Sequence, residues 1–154
     1  MGREIERKFL LRDDSWRQYS QGKSLFCQAY LNSHPERTVR VRIQDELAFL
    51  TIKGKTDGIT RSEFEYTIPL ADARQLLALC ETEALEKYRH LVDYQGHRWE
   101  VDEFIGVNAG LIVAEIELAD ERETFARPPW LGEEVSHDPR YFNSALSRKP
   151  FSRW

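Results

Sequence analysis

Glu4, Glu6 and Lys8 are the first residues of this chain whose types and spacing could do chemistry. Alternate side chains of an extended strand leave the same face, so two carboxylates and an ammonium group would lie side by side. Such a row is a poor start for an apolar core. It is well suited to holding a divalent cation next to a phosphate group, because carboxylate oxygens are hard ligands and an ammonium group attracts anions.

The same alternation recurs along most of the chain, with charge on one face of each strand-like run and apolar residues on the other. Val39, Val41 and Ile43 are typical of the apolar face. After the first run, the polar and charged face carries Arg40 and Arg42, Thr51 and Lys53, Glu63 and Glu65, Lys87 and Arg89, Glu100 and Asp102, and Glu115 and Glu117. The pattern therefore describes a whole surface and not one unusual strand.

For any single strand, the simplest interpretation is a charged face in water and an apolar face on a core. The set as a whole favours another interpretation, because like charges fall on alternate positions of one strand, where they repel. Arginine binds phosphate oxygens through two N–H groups, and carboxylates bind Mg²⁺ or Mn²⁺. Charges sorted by sign in this way suit a polyanion that is bridged by divalent cations.

The elements that would position these residues are mostly strands. Short connections such as Asp45-Glu46 and Gln95-Gly96 favour antiparallel neighbours, and closing the sheet would remove its exposed edges. We predict an α+β fold that consists of an eight-stranded antiparallel β-barrel with a few short helices outside it. The predicted strands are Arg3 to Leu11, Ser24 to Asn32, Arg37 to Gln44, Leu47 to Gly54, Arg61 to Pro69, Leu85 to Tyr94, His97 to Ile105 and Leu111 to Ala119.

Three helices are expected between and after the strands. A possible capping box at Ser15 to Gln18 would open the first, and apolar residues at helical spacing predict a second over 71–81. Asp138 followed by Pro139 predicts the start of a C-terminal helix. The whole chain, residues 1–154, is expected to form a single domain, since its length fits one.

Composition excludes several classes of protein. The net charge is −4 and the isoelectric point is near 5.6, which argues against a nucleic-acid partner or an anionic membrane surface. No apolar stretch approaches the roughly 20 residues of a spanning helix. No signal peptide is recognisable, so a cytoplasmic location is expected. The sequence leaves the oligomeric state open between monomer and homodimer.

The ordered motifs resemble the CYTH superfamily, whose members are also called triphosphate tunnel metalloenzymes. The resemblance rests on Glu4-x-Glu6-x-Lys8 followed in order by Arg40-x-Arg42, Thr51-Ile52-Lys53, Glu63-x-Glu65, Lys87-x-Arg89 and Glu115-x-Glu117. It runs from Arg3 to about Leu146. A single Glu-x-Glu-x-Lys motif would be weak evidence, whereas the ordered set is strong.

The resemblance implies a tunnel that binds a linear triphosphate and depends on Mg²⁺ or Mn²⁺, with two ions expected. It assigns Lys8, Lys87 and Arg89 to catalysis, and either Lys8 or Lys87 could give a proton to the leaving group. It assigns phosphate binding to Lys8, Arg40, Arg42, Lys53, Lys87 and Arg89. It assigns metal binding to Glu4, Glu6, Glu63, Glu65, Asp102, Glu115 and Glu117.

Members of this family differ in what the triphosphate is attached to. The chain is similar to the compact bacterial inorganic triphosphatases, and it has little sequence beyond the barrel with which to build a pocket for a base. We therefore expect hydrolysis of tripolyphosphate to pyrophosphate and phosphate. The alternatives are a class IV adenylate cyclase, an organic triphosphatase that acts on thiamine triphosphate or a nucleoside triphosphate, and a non-catalytic module that binds polyphosphate.

Overall fold

In a computed structural model that describes residues 2–154, the chain folds around a closed antiparallel β-barrel. Alternation of charged and apolar residues makes each segment extended, with one face turned into the barrel and one turned out. The strands are β1 (Arg3–Leu11), β2 (Ser20–Asn32), β3 (Arg37–Gln44), β4 (Leu47–Gly54), β5 (Thr60–Thr67), β6 (Leu85–Tyr94), β7 (His97–Phe104), β8 (Ile112–Glu117) and β9 (Leu131–Glu134).

The barrel closes because β1 pairs with β8 on one edge and with β5 on the other. Around the barrel the order is β5-β4-β3-β2-β6-β7-β8-β1, and β1 returns to β5. The first part of β1 pairs with β5, and the later part pairs with β9. This confirms the predicted eight-stranded antiparallel barrel and adds β9, which the sequence did not predict as a strand.

Strand β9 lies unusually close to β1. A Cβ atom added at Gly132 would stand 2.8 Å from the backbone oxygen of Leu10, so only glycine fits at this position. The glycine therefore allows a four-residue strand to cover the part of the β1 edge that β5 leaves free.

Two helices were predicted correctly in position, and one capping interaction was predicted wrongly. Helix α1 spans Leu70–Leu79, and a short helix α2 spans Asn143–Leu146 after a 3₁₀ turn at Pro139–Tyr141. The Asp138 side chain caps that turn, as expected. Residues Ser15–Tyr19 form a 3₁₀ turn without the predicted capping box, because Asp13 accepts hydrogen bonds from the amide and hydroxyl of Ser15.

Apolar packing lies mainly outside the barrel. Helix α1 covers β3 and β4, where Ala73 packs with Val41 and Ala48. A larger cluster covers the outer faces of β1, β6, β7 and β8 and includes Trp16, Trp99 and Trp130. The barrel interior is therefore free to hold charge. No helix in residues 2–154 has the length and apolar character needed to cross a membrane.

An ion pair fastens β9 to β1 and gives a first prediction. Arg7 donates two hydrogen bonds to Glu134, at 2.8 and 2.6 Å, and these bonds hold the pKa of Glu134 below its usual value. Glu134→Gln should lower the free energy of unfolding at pH 7 by about 1 kcal/mol. This loss of unfolding free energy should become smaller as the pH falls below 4.5 and through the lowered pKa that Glu134 has in the folded protein. At such pH values Glu134 becomes protonated in the unmodified protein, so Arg7 no longer stabilises a carboxylate there. Denaturant unfolding at several pH values measures both effects.

Glu133→Gln is the matched control, because Glu133 is the exposed neighbour on the same strand. It should leave the free energy of unfolding unchanged at every pH. A loss for Glu134→Gln that is the same at pH 7 and at pH 3 would contradict the ion-pair explanation.

Candidate active site

The barrel encloses a cavity of about 440 Å³ whose walls are mostly charged. Every site residue predicted from the sequence lines this cavity except Asp102. Glu100, which shares a strand face with Asp102, lines it as well. The predicted residues found there are Glu4, Glu6, Lys8, Arg40, Arg42, Lys53, Glu63, Glu65, Lys87, Arg89, Glu115 and Glu117.

One wall of the cavity carries Arg40 and Arg42 from β3 and Lys87 and Arg89 from β6. Burial lowers the pKa of Arg42, and the charges of Arg40 and Arg89 lower it further, to about 9. The Nε atom of Arg40 is buried and has no hydrogen-bond partner within residues 2–154. This wall thus holds crowded positive charge and an unused buried donor, both of which an anion would satisfy.

The other wall carries carboxylates from β1, β5, β7 and β8. Strand register places Glu6 opposite Glu117 and Glu100 opposite Glu115. Burial raises the pKa of Glu6 well above its usual value, and the charges of Glu115 and Glu4 raise it further. The pKa values of Glu63 and Glu117 are raised as well, by burial and by neighbouring carboxylates. The carboxylates of this wall therefore repel one another.

Two cations in the acidic half partly offset this repulsion. Lys53 donates to the two oxygens of Glu4 at 3.0 and 3.2 Å, and Arg61 donates to Glu4 at 2.8 Å. Burial alone would raise the pKa of Glu4, but the charges of Lys53 and Arg61 outweigh it and bring the pKa to about 2. Lys53 also lies 3.3 Å from Glu63. Lys53, predicted to bind phosphate, thus stands among the carboxylates.

Lys8 lies at the boundary between the two kinds of wall. Its ammonium nitrogen is 3.7 Å from Glu115 and 3.8 Å from Glu6. Burial would lower its pKa, but these two carboxylates outweigh burial and raise it. Glu115 also lies 3.7 Å from Arg89. Lys8 and Glu115 therefore connect the acidic and basic halves of the cavity.

Asp102, which was predicted to bind metal, is not among the residues that line the cavity. It is fully buried, and both of its oxygens accept hydrogen bonds from the guanidinium group of Arg89 at 2.8 Å. Lys87 donates to the same carboxylate at 2.7 Å. Both oxygens of Asp102 are used in this way, so in this structure Asp102 holds two cations in place. Strand parity places Asp102 on the same face of β7 as Glu100, but it does not show that Lys87 and Arg89 cover the carboxylate of Asp102.

Lys87 is strongly affected by its surroundings. Burial lowers its pKa to about 7, although the charge of Asp102 opposes this effect. Its ammonium group also donates to Asn143 Oδ1 at 2.8 Å. Gln28 donates to the same oxygen at 3.1 Å and accepts from Arg42 at 2.8 Å. The C-terminal helix α2 is thus tied to both halves of the cationic wall.

Sequence reasoning missed Arg61, Asn143 and Phe26 as residues of the cavity. Arg61 had a usable signal, because it shares strand parity with Glu63 and Glu65. Phe26 shares parity with Gln28 but has no charge to mark it. Asn143 had no signal, because it reaches the cavity from a helix more than a hundred residues after its partner Gln28.

The donor set fits a divalent metal, although no formed metal cluster is present among residues 2–154. No three carboxylate, imidazole or thiol side chains converge there as closely as metal ligands do. Three carboxyls with raised pKa values nevertheless face one cavity, and a divalent cation would offset both the burial and the repulsion that raise these pKa values. Oxygen ligands of this kind suit Mg²⁺ or Mn²⁺.

The sequence model of the CYTH domain matches residues 2–144. The chain belongs to the CYTH domain family. An inorganic triphosphatase of Acetivibrio thermocellus is 44% identical over 100% of this chain and 99% of its own length. An inorganic triphosphatase of Nitrosomonas europaea is 34% identical over 94% of this chain and 96% of its own.

Comparison of structures agrees with this membership. This CYTH chain superposes on the crystal structure of the inorganic triphosphatase NE1496 with a TM-score of 0.65, at 32% identity, over 94% of this chain and 93% of that one. A putative adenylate cyclase of Bacillus halodurans has a similar fold, at a TM-score of 0.54 and 16% identity, over 79% of this chain and 84% of that one. The likeness to the cyclase shows the fold alone.

Proposed function

We propose that this CYTH protein is a divalent-metal-dependent inorganic triphosphatase, which hydrolyses tripolyphosphate to pyrophosphate and phosphate. The observation that carries the proposal is a closed tunnel in which the cations of β3 and β6 share one cavity with the carboxylates of β1 and β8. The two inorganic triphosphatases similar over nearly the full chain support it.

The cationic wall would bind the phosphate groups. Arg42 and Arg89 offer planar guanidinium groups that match phosphate oxygens, and Lys87 offers a point charge. Arg40 adds the buried Nε donor that has no partner in the described chain. These groups are held in place before substrate arrives, so they can stabilise charge on the transferred and leaving phosphates without much rearrangement.

The acidic wall would hold the metal. Two ions and the seven predicted ligands remain the expectation, and all of these ligands except Asp102 line the cavity. The raised pKa values of Glu6, Glu63 and Glu117 support a role for these three in metal binding. A bound Mg²⁺ or Mn²⁺ would supply Lewis acidity and make a water molecule more nucleophilic. Lys53 and Arg61 form ion pairs with Glu4, and these ion pairs would have to break if Glu4 binds metal.

Of the two lysines left open by the sequence, Lys87 is better suited to exchange a proton with a reacting oxygen. A proton-transfer group works best when its pKa is near the working pH. The pKa of Lys87 is about 7, whereas that of Lys8 is raised. We assign proton transfer to Lys87 Nζ, and we assign to Lys8 a fixed positive charge beside Glu115.

The lining favours an inorganic substrate over an organic one. Phe26 and Tyr30 are the aromatic residues among those that line the main cavity, and both are buried. Cations surround Phe26, so its ring is not free to stack on an adenine or a thiazolium ring. The substrate would be a small-molecule triphosphate. The cytoplasmic location and the single domain over residues 1–154 stay predictions.

A panel of substrates tests this function. Purified protein with Mg²⁺ or Mn²⁺ is incubated with tripolyphosphate, ATP or thiamine triphosphate, and phosphate, pyrophosphate and cyclic AMP are measured. We expect the highest kcat/KM with tripolyphosphate. Cyclic AMP as the main product would contradict the proposal, and tight binding without turnover would indicate a polyphosphate-binding module.

Two substitutions in the tunnel should separate function from stability. Lys8→Ala and Arg42→Ala should each raise the KM for tripolyphosphate at least about tenfold, because each removes a charged contact to phosphate. Arg42→Ala should affect KM more than stability, because relief of the burial of its charge and of the repulsion from Arg40 and Arg89 offsets the lost hydrogen bond to Gln28. Steady-state kinetics and thermal unfolding check both variants. If both variants mainly unfolded, the charges would be structural and the tunnel assignment would fail.

A further inference from the structure

Phe26 stands at the centre of the cationic wall. It lies on β2, which pairs with β3 on one side and with β6 on the other. The ring lines the cavity and is 3% exposed. β3 and β6 carry four of the six phosphate-binding candidates, so an apolar ring lies between two rows of positive charge.

Three of these cations lie close to the ring. The guanidinium carbon of Arg42 is 4.6 Å from the ring centroid, and that of Arg89 is 4.9 Å away. The Lys87 nitrogen is 5.9 Å away. All three distances fall within the range in which a cation is attracted by the electron-rich face of an aromatic ring.

The hydrogen bonds of these cations explain why a ring is useful here. Arg42 donates to Gln28 through Nε, and Arg89 and Lys87 share the carboxylate of Asp102. A second carboxylate in place of Phe26 would offset the repulsion but would also take N–H donors that a phosphate needs. An aromatic face attracts the cations without accepting those donors in the same way.

We propose that Phe26 is a positioning residue for phosphate, which holds Arg42, Arg89 and Lys87 together without using the N–H donors that their bonds to protein groups leave over for the substrate. This inference rests on the proposed function, because it takes the three cations to bind phosphate. The ring touches the cations and not the reacting atoms. Its effect should therefore appear in phosphate binding more than in the chemical step.

Fluorinated phenylalanines provide the sharpest test, because fluorine weakens the negative face of the ring while nearly keeping its shape. Phenylalanine with one, two or three ring fluorines is incorporated at position 26, and binding of pyrophosphate in Mg²⁺ is measured by calorimetry. We expect the dissociation constant to rise stepwise with each fluorine. A constant that does not change with fluorination would overturn the proposal.

Ordinary substitutions give a second, independent readout. Phe26→Leu should raise the dissociation constant for pyrophosphate and the KM for tripolyphosphate about tenfold, with a smaller change in kcat. Phe26→Tyr keeps the aromatic face, so both constants should stay much closer to those of the unmodified protein. Phe64→Leu is the matched control, since Phe64 is half exposed and lies outside the cavity lining. Equal losses for Phe26→Leu and Phe26→Tyr would show that packing, and not the aromatic face, matters.

The two proposals can fail separately. If the unmodified protein binds pyrophosphate and tripolyphosphate but hydrolyses neither, the triphosphatase function fails. The stepwise effect of fluorine on pyrophosphate binding would then still support the role of Phe26. If hydrolysis proceeds and fluorination leaves both binding and KM unchanged, the role of Phe26 fails and the function stands.

Discussion

Glu117→Gln should reduce tripolyphosphate hydrolysis at least about 100-fold at limiting metal, while the protein stays folded. Glu117 faces Glu6 across the β1–β8 pair at the acidic wall. Its pKa is raised by burial and by the charges of Glu4, Glu100 and Glu63, so it belongs to the crowded carboxylates that a divalent cation would stabilise. Glutamine keeps the shape of the side chain and removes the charge. It also removes some repulsion, so the melting temperature should stay the same or rise.

Titration with Mg²⁺ or Mn²⁺ separates a metal ligand from a general structural residue. Glu117→Gln should need a higher metal concentration for half-maximal activity, and Glu133→Gln, which changes an exposed carboxylate on β9, should behave like the unmodified protein. Normal turnover by Glu117→Gln at limiting metal would show that Glu117 holds no metal.

The second large effect is expected at Asp102. Asp102→Asn should lower the free energy of unfolding by about 3 kcal/mol, because it leaves two buried cations without their shared carboxylate. It should also raise the KM for tripolyphosphate, since Lys87 and Arg89 lose the group that orients them. The metal concentration that gives half-maximal activity should not change.

Asp93→Asn is the matched control for Asp102→Asn. Asp93 also bonds an arginine, Arg98, with two hydrogen bonds, but the pair is exposed on the surface. Its loss should cost little stability. A raised metal requirement with an unchanged KM in Asp102→Asn would restore Asp102 as a metal ligand and contradict the placement in the structure.

Strand parity was enough to predict most of the charged side chains that line the tunnel. Alternation is local, so Glu4 and Glu6 could be placed on one face without knowledge of their partners. Antiparallel pairing could be predicted from short turns such as Gln95-Gly96, where both residues adopt a positive φ. The closed barrel followed because an open sheet of this length would expose two edges.

Depth within the tunnel and contacts from distant segments could not be predicted in this way. Asp102 and Glu100 lie on the same face of β7. The carboxylate of Asp102 is nevertheless covered by two cations, whereas Glu100 lines the cavity. Strand β9 has no clear alternation over its four residues, and it is defined by its close approach to β1 at Gly132. Asn143 reaches the cavity through the path of the C-terminal segment. Each of these features depends on tertiary packing and has no local pattern.

Phosphorus NMR of tripolyphosphate with the purified protein tests the central claim most directly. In the presence of Mg²⁺, we predict that the tripolyphosphate signals are replaced by equal amounts of pyrophosphate and phosphate. Addition of EDTA should stop the conversion, and excess Mg²⁺ should restore it. Tripolyphosphate that persists with Mg²⁺ or Mn²⁺, or conversion that continues at the same rate in EDTA, would contradict the assignment of the tunnel as a metal-dependent triphosphatase.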